Sequence, residues 1–369
     1  MADLREQIAD LLDEADDLEH GTAQLALTEE AVELADALRD VGVAFFARSK
    51  LVGAATFAGR TDIAMVAYSW LLTKYDEAPD DYDSQELLWQ YKWILENVAD
   101  FPNIRKEQID ALFDDMKRRY KSAGATLHAY WGILRNNAFI MGDPAEAKRA
   151  NAKLLQTPRD HLSNCLACVQ DEEVEYCTFI GDDAGALRAA KPILAGKMKC
   201  GEVPERTYAG IAMPLIRLGK HGRALEHYQT GYRLIRQNPK FVRHKGMFLV
   251  ALTLTGNLDR AVKLLDRHLP EAIDSASPWW RFEFYLAARL LLEKLADTGR
   301  ETVPIRVPEK VDLGDSAESP KIAELSRWLD AELVKLATAF DARNGNAIFT
   351  ERCLFFRDLF ELAEDCPLE

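Results

Sequence analysis

A glycine followed five positions later by an alanine returns along this chain at a near-constant interval, and this pattern limits the fold more than any other feature. The pairs are Gly142 and Ala147, Gly181 and Ala186, Gly219 and Ala224, and Gly256 and Ala261, so the glycines stand almost evenly spaced. Upstream, Gly59 with Ala64 and Gly21 with Ala26 repeat both the pair and the interval. The gap from Gly59 to Gly142 is roughly twice as long and leaves room for one degenerate copy, whose turn falls in ADFPNIRKEQ near Pro102. In each unit an apolar helix runs up to a glycine that can adopt the left-handed conformation ending a helix. Asp, Asn or Pro then starts a second helix. The small alanine lets the two helices approach closely. A hairpin of this kind cannot bury its apolar face alone, so it must stack on its neighbours.

These residues resemble the tetratricopeptide repeat. Trp131, Leu134, Gly142 and Ala147 fit that family's signature in one unit, Tyr208, Gly219, Ala224 and Tyr228 in another, and Gly59, Ala64 and Tyr68 in a third. The units are a few positions longer than those of the family, and Pro192 and Pro214 fall inside expected helices, where they should kink them. The resemblance implies an all-α α-solenoid, a right-handed superhelix of about seven helical hairpins, over residues 1–297. Residues 298–320, with three prolines and no helical period, read as a loop or linker. Residues 321–369 read as a C-terminal helical cap closing the apolar end of the array. CLAC, CGEVPERTYAGIAMPLIRLGK and LTGNLDRAVKLLDRHLP are also similar to stretches of a group of bacterial repeat proteins of unassigned function.

In that family the concave groove is lined by the first helix of each unit. Counting back from each turn glycine places Asn136, Asp171, Glu172, Glu175, Arg206, Met213, Arg243, Met247 and Val250 there. The family's two-carboxylate clamp grips the C-terminus of a chaperone with basic residues. The matching positions here include Gly132, Asn136, Asp171, Glu172 and Glu175, so the basic half is missing and chaperone-tail binding is not expected. The surface passes from acidic to basic between Glu175 and Arg206, which suits a zwitterionic peptide or an amphipathic helix. The resemblance thus implies a non-catalytic scaffold for a protein or peptide. Bacterial peptide-sensing regulators with similar long repeats are an alternative, although no DNA-binding or output segment is read at the N-terminus.

Charge leaves one further alternative open. The net charge is −14, yet residues 205–245 hold nine Lys/Arg against two Glu. Arg, Lys and Tyr interleave there, as nucleic-acid or other anion binding requires. The acidic balance of the whole chain opposes that reading, and Tyr208 and Tyr228 fall at core positions. The seven histidines form no H-E-x-x-H, and no G-x-S-x-G, phosphate-binding loop or dinucleotide fingerprint occurs. The chain is therefore read as not an enzyme. The acidic, amphipathic N-terminus lacks the basic start and apolar centre of a signal peptide, and no apolar run approaches a membrane span. A cytoplasmic location with reduced cysteines is expected.

Cys165 and Cys168 form a C-x-x-C at the start of the helix that climbs to Gly181. The following helix descends to about Gly196, so the loop carrying Cys200 returns beside them. His161 or Glu202 could complete four ligands. No cofactor is required by any motif, and three states of the cluster remain open: plain reduced thiols, a structural zinc site, or a disulfide from Cys200 to Cys165 or Cys168. Cys177 falls at a core position and reads as a small buried hydrophobe.

Overall fold

The computed structural model describes residues 2–311 and 319–368; residues 312–318 of the expected linker lie outside the described residues. The described residues form eighteen α-helices. They contain no strand beyond two isolated bridges, Cys200 with Val203 and Thr302 with Lys321. None of these helices is long and apolar enough to cross a membrane.

The helices follow one another as hairpins. The first three are α1 (Ala2–Asp17) with α2 (Thr22–Leu38), α3 (Val41–Phe57) with α4 (Thr61–Glu77), and α5 (Ser84–Asn97) with α6 (Lys106–Ser122). Then come α7 (His128–Met141) with α8 (Pro144–Gln156), and α9 (Leu166–Phe179) with α10 (Asp183–Leu194). The sixth joins α11 (Glu205–Gly210) and α12 (Ala212–Arg217) to α13 (His221–Ile235), and the seventh pairs α14 (Val242–Leu254) with α15 (Leu258–Asp274). After them come α16 (Pro278–Asp297), α17 (Ile322–Asn344), α18 (Ile348–Leu354) and a 3-10 run, Phe356–Leu362.

Five turns share one hydrogen-bonded design. Gly59, Gly142, Gly181, Gly219 and Gly256 all have φ between +66° and +80°. In each, the residue after the glycine donates its N–H to a carbonyl five positions back, as Asp143 does to Ala138 at 2.9 Å and Asp182 to Cys177 at 2.8 Å. This is the helix-ending motif that a left-handed glycine permits. Asp143 and Asp182 then accept the N–H groups of Glu146 and Gly185, capping the next helix. The partner alanines Ala64, Ala147, Ala186, Ala224 and Ala261 are completely buried. The first copy departs from the pattern. Gly21 is extended (φ 164°) at the start of α2, Ala26 is exposed, and the left-handed residue is Arg39, after α2.

Pro214 acts as expected. It offers no N–H to Gly210, four positions back, and the helix breaks there into α11 and α12. Pro192 stays inside α10, which ends shortly after it at Leu194.

First helices of successive hairpins lie side by side, α5 on α7, α7 on α9, α9 on α11, α11 on α14 and α14 on α16, and so make one continuous face. The C-terminal third shows two features that the sequence did not. The segment after α16 is packed against the body of the array, because Val303, Ile305, Val307 and Val311 are buried in the core shared by α14, α16 and α17. The closing helices do not simply cover the end of the array. α17 packs on α16, but α18 and the 3-10 run double back over the first-helix face. Phe349 stacks on Phe340 at 4.4 Å between ring centroids, just beyond the left-handed turn at Gly345.

Candidate functional site

The first-helix face carries a line of ionic groups that satisfy one another. Lys92 of α5 is fully buried and donates to Leu162 O at 2.8 Å and Asn164 Oδ1 at 3.1 Å. Burial lowers it to about 8. Asn164 in turn donates to Glu96 and Glu172. Arg135 of α7, also fully buried, reaches Glu172, Glu173 and Asn151. Asp171 pairs with Arg206 at 2.9 Å. Burial raises its carboxyl to about 6, although Arg206 opposes this. Glu175 pairs with Arg243 at 2.7 Å. Burial would raise Glu175, but Arg243 and then Arg206 outweigh it and hold the carboxyl at about 2. Arg243 also lies over the Trp279 ring at 4.3 Å, and Trp279 donates to Glu283, which receives both guanidinium arms of Arg352 at 2.6 and 2.7 Å. Pairing of this kind recovers only part of the desolvation cost, and it links each first helix to the next.

Beside this line, a cavity of about 530 Å³ opens between the face and the returning C-terminal segment. Met213, Met247, Val250 and Leu290 form its floor, and Phe355, Phe356 and Leu359 its roof. The roof is tied down along its length. Asn344 and Asn346 donate to the carbonyls of Ile140 and Met141, His221 Nε2 to Leu362 O, and Asn257 to Cys366 O.

The nine residues expected in the groove divide into two groups. Met213, Arg243, Met247 and Val250 come together in the cavity wall. The others do not offer free charges to a partner. Asp171 and Glu172 are only 2% and 6% exposed, and Asn136 is half-buried and accepts from Arg135. Arg206 is held by Asp171 and Glu202, and Glu175 by Arg243. The step from acidic to basic is thus neutralised within the array, because facing helices bring the two signs together. Sequence reasoning missed Arg135, Lys92, Glu283 and Arg352. Lys92 had left a signal, since a lysine between Trp89 and Trp93 in an apolar run needs a buried partner.

Within 205–245, Arg206, Arg217, Lys240, Arg243 and Lys245 each pair with a carboxylate of the same chain. Lys220, Arg223, Arg233 and Arg236 are exposed. Tyr228 is buried as expected, whereas Tyr208 is half-buried.

The sulfurs of Cys165, Cys168 and Cys200 lie within 4.8 Å of one another. Cys165 caps α9, accepting the Cys168 N–H at 3.3 Å. Burial works against its thiolate, but hydrogen bonds from the Cys168 N–H and from the Cys168 and Cys200 thiols outweigh it and hold its pKa below the usual thiol value. Burial pushes Cys168 well up, against the pull of Arg206. His161 is not part of this group. The Asp160 carboxylate takes the N–H groups of Thr126 and Leu162 and the Ser163 hydroxyl, which fixes this turn with the His161 ring exposed. Glu202 is engaged by Lys240 and Arg206. Cys177 is buried, and burial raises it to about 12.

Searches with protein-family models and against curated proteins found no match to this chain.

Proposed function

We propose that the protein is a non-catalytic scaffold that binds a protein or peptide on its first-helix face, as the concave side of a tetratricopeptide-repeat-like superhelix would. The cavity that gathers Met213, Arg243, Met247 and Val250 supports this reading. Its volume suits a large apolar side chain or a small ligand, and methionines adapt to varied apolar shapes. Because the nearby charges already pair within the array, an apolar anchor fits better than a zwitterionic chain. The partner favoured is therefore an amphipathic helix that inserts one or two apolar side chains and meets exposed Glu351 at the rim.

Selection from a displayed random-peptide library tests this, with the wild type run beside Met247→Trp, which fills the cavity. Peptides sharing an apolar motif should be enriched by the wild type and not by a variant of unchanged melting temperature. No enrichment, or equal enrichment by both proteins, overturns the reading.

Exposed Lys220 and Arg223 at the start of α13, with Arg233 and Arg236 at its end, favour a second reading, anion or nucleic-acid binding. Binding to random oligonucleotides that weakens steeply with salt would support it.

A further inference from the structure

The geometry points to a metal site formed by Cys165, Cys168 and Cys200, which holds one zinc ion on three thiolates and leaves a fourth position to solvent. Two separate stretches of chain, one opening α9 and one following α10, bring these sulfurs within 4.8 Å of one another. Around a tetrahedral ion with bonds of ~2.3 Å, neighbouring sulfurs lie ~3.8 Å apart, so closure needs shifts of ~1 Å at most. Cys165 and Cys200 are exposed, so little has to move to admit an ion, and the open position faces water.

Burial opposes ionisation of Cys168 and Cys200, and the charge of a bound ion would offset that cost. Cys165 accepts the backbone N–H of Cys168 at 3.3 Å. Such donors support and orient metal-bound sulfur. Three thiolates and Zn²⁺ carry a net charge of −1, and the cations Arg206 and Lys92 both act electrostatically on Cys168. Thiophilic ligands in this number select zinc over magnesium or calcium. Each thiol gives its proton to solvent on binding, with no redox step. Once bound, the ion would fasten the 195–204 loop to the start of α9, where the small cluster of Ala167, Ile193 and Val203 otherwise holds it.

The test uses tag-free, full-length protein, reduced and stripped of metal, then titrated with Zn²⁺ against a chromogenic chelator. One zinc per chain is expected, with Cys165, Cys168 and Cys200 protected from alkylation. Cobalt in place of zinc should show thiolate charge-transfer absorption. Cys200→Ser, in an exposed loop, should weaken zinc binding at least ~tenfold, the smaller end of what even supporting groups contribute. Cys177→Ser should bind as the wild type does. Equal alkylation with and without zinc, equal affinity in Cys200→Ser, or a Cys200 disulfide persisting in zinc-saturated protein overturns the site.

Discussion

Ile348 occupies the space that a side chain on Gly142 would need: a β-carbon there would collide with the Ile348 Cδ1. One glycine therefore ends α7 and also seats the returning C-terminal segment. Gly181 holds the equivalent turn position with φ +80°, but nothing lies within 4 Å of its added β-carbon.

The two glycines should therefore respond differently to alanine. Gly181→Ala should lose ~1–2 kcal/mol from left-handed strain alone. Gly142→Ala should lose that and a further ~1–3 kcal/mol from overpacking against Ile348. Denaturant unfolding of both variants measures the difference. Equal losses would mean that the segment does not rest on this turn.

Deleting residues 346–369 should uncover the floor of the cavity, including Met213, Met247, Val250 and Leu290. An apolar patch of this kind promotes association. The truncated chain should bind a hydrophobic dye more strongly than the full chain and elute as larger species at high concentration. Unchanged dye binding would contradict the observed path of the segment.

Ala224 has no accessible surface, at the crossing of the sixth hairpin. Ala224→Leu should cost ~1–3 kcal/mol, whereas the same change at exposed Ala26 should be nearly neutral. Melting curves of the two variants check whether the alanine register marks real crossings.

Asp100 gives a pH dependence of definite sign. It is fully buried, takes a hydrogen bond from Ser277 at 2.7 Å, and burial raises it to about 7. Between its ordinary value near 3.8 and 7, the folded protein keeps a proton that the unfolded chain has lost. Stability from this group is therefore present at low pH and falls as pH rises through that window. Asp100→Asn removes the effect, so between pH 4 and 8 the wild type should lose on the order of 2–4 kcal/mol relative to the variant. Parallel stability profiles would show that Asp100 is ionised throughout.

The array was legible because its rule is local. A glycine that must turn left-handed and an alanine shortly after it lie within one hairpin, so Gly142 with Ala147 or Gly219 with Ala224 can be read from a short stretch of chain. The site was only half legible for the same reason. Counting along each first helix found Met213, Met247 and Val250, since their direction follows from the helical period. It could not show that Glu175 meets Arg243, far along the chain, or that Arg206 is neutralised by Asp171. The aromatic-rich 345–362 stretch has the pattern of an end cap, and its reversal depends on the room beside Gly142. Gly21 misled because it resembles the other turn glycines in sequence but carries no left-handed bend.

Most of the hairpins join residues close in sequence, whereas the C-terminal strap binds residues much further back. Arg343 reaches Ala99, Asn346 reaches Met141, and Leu362 meets His221, so each contact spans more than a third of the chain. Short-range contacts form early, while long-range ones wait for the chain to be made. On the ribosome, successive hairpins can stack while the strap is still being synthesised, leaving the methionine-lined floor bare for that interval. If the proposed partner is present at the exit of the tunnel, it finds the face open; in the finished molecule Phe355 and Phe356 lie over that floor.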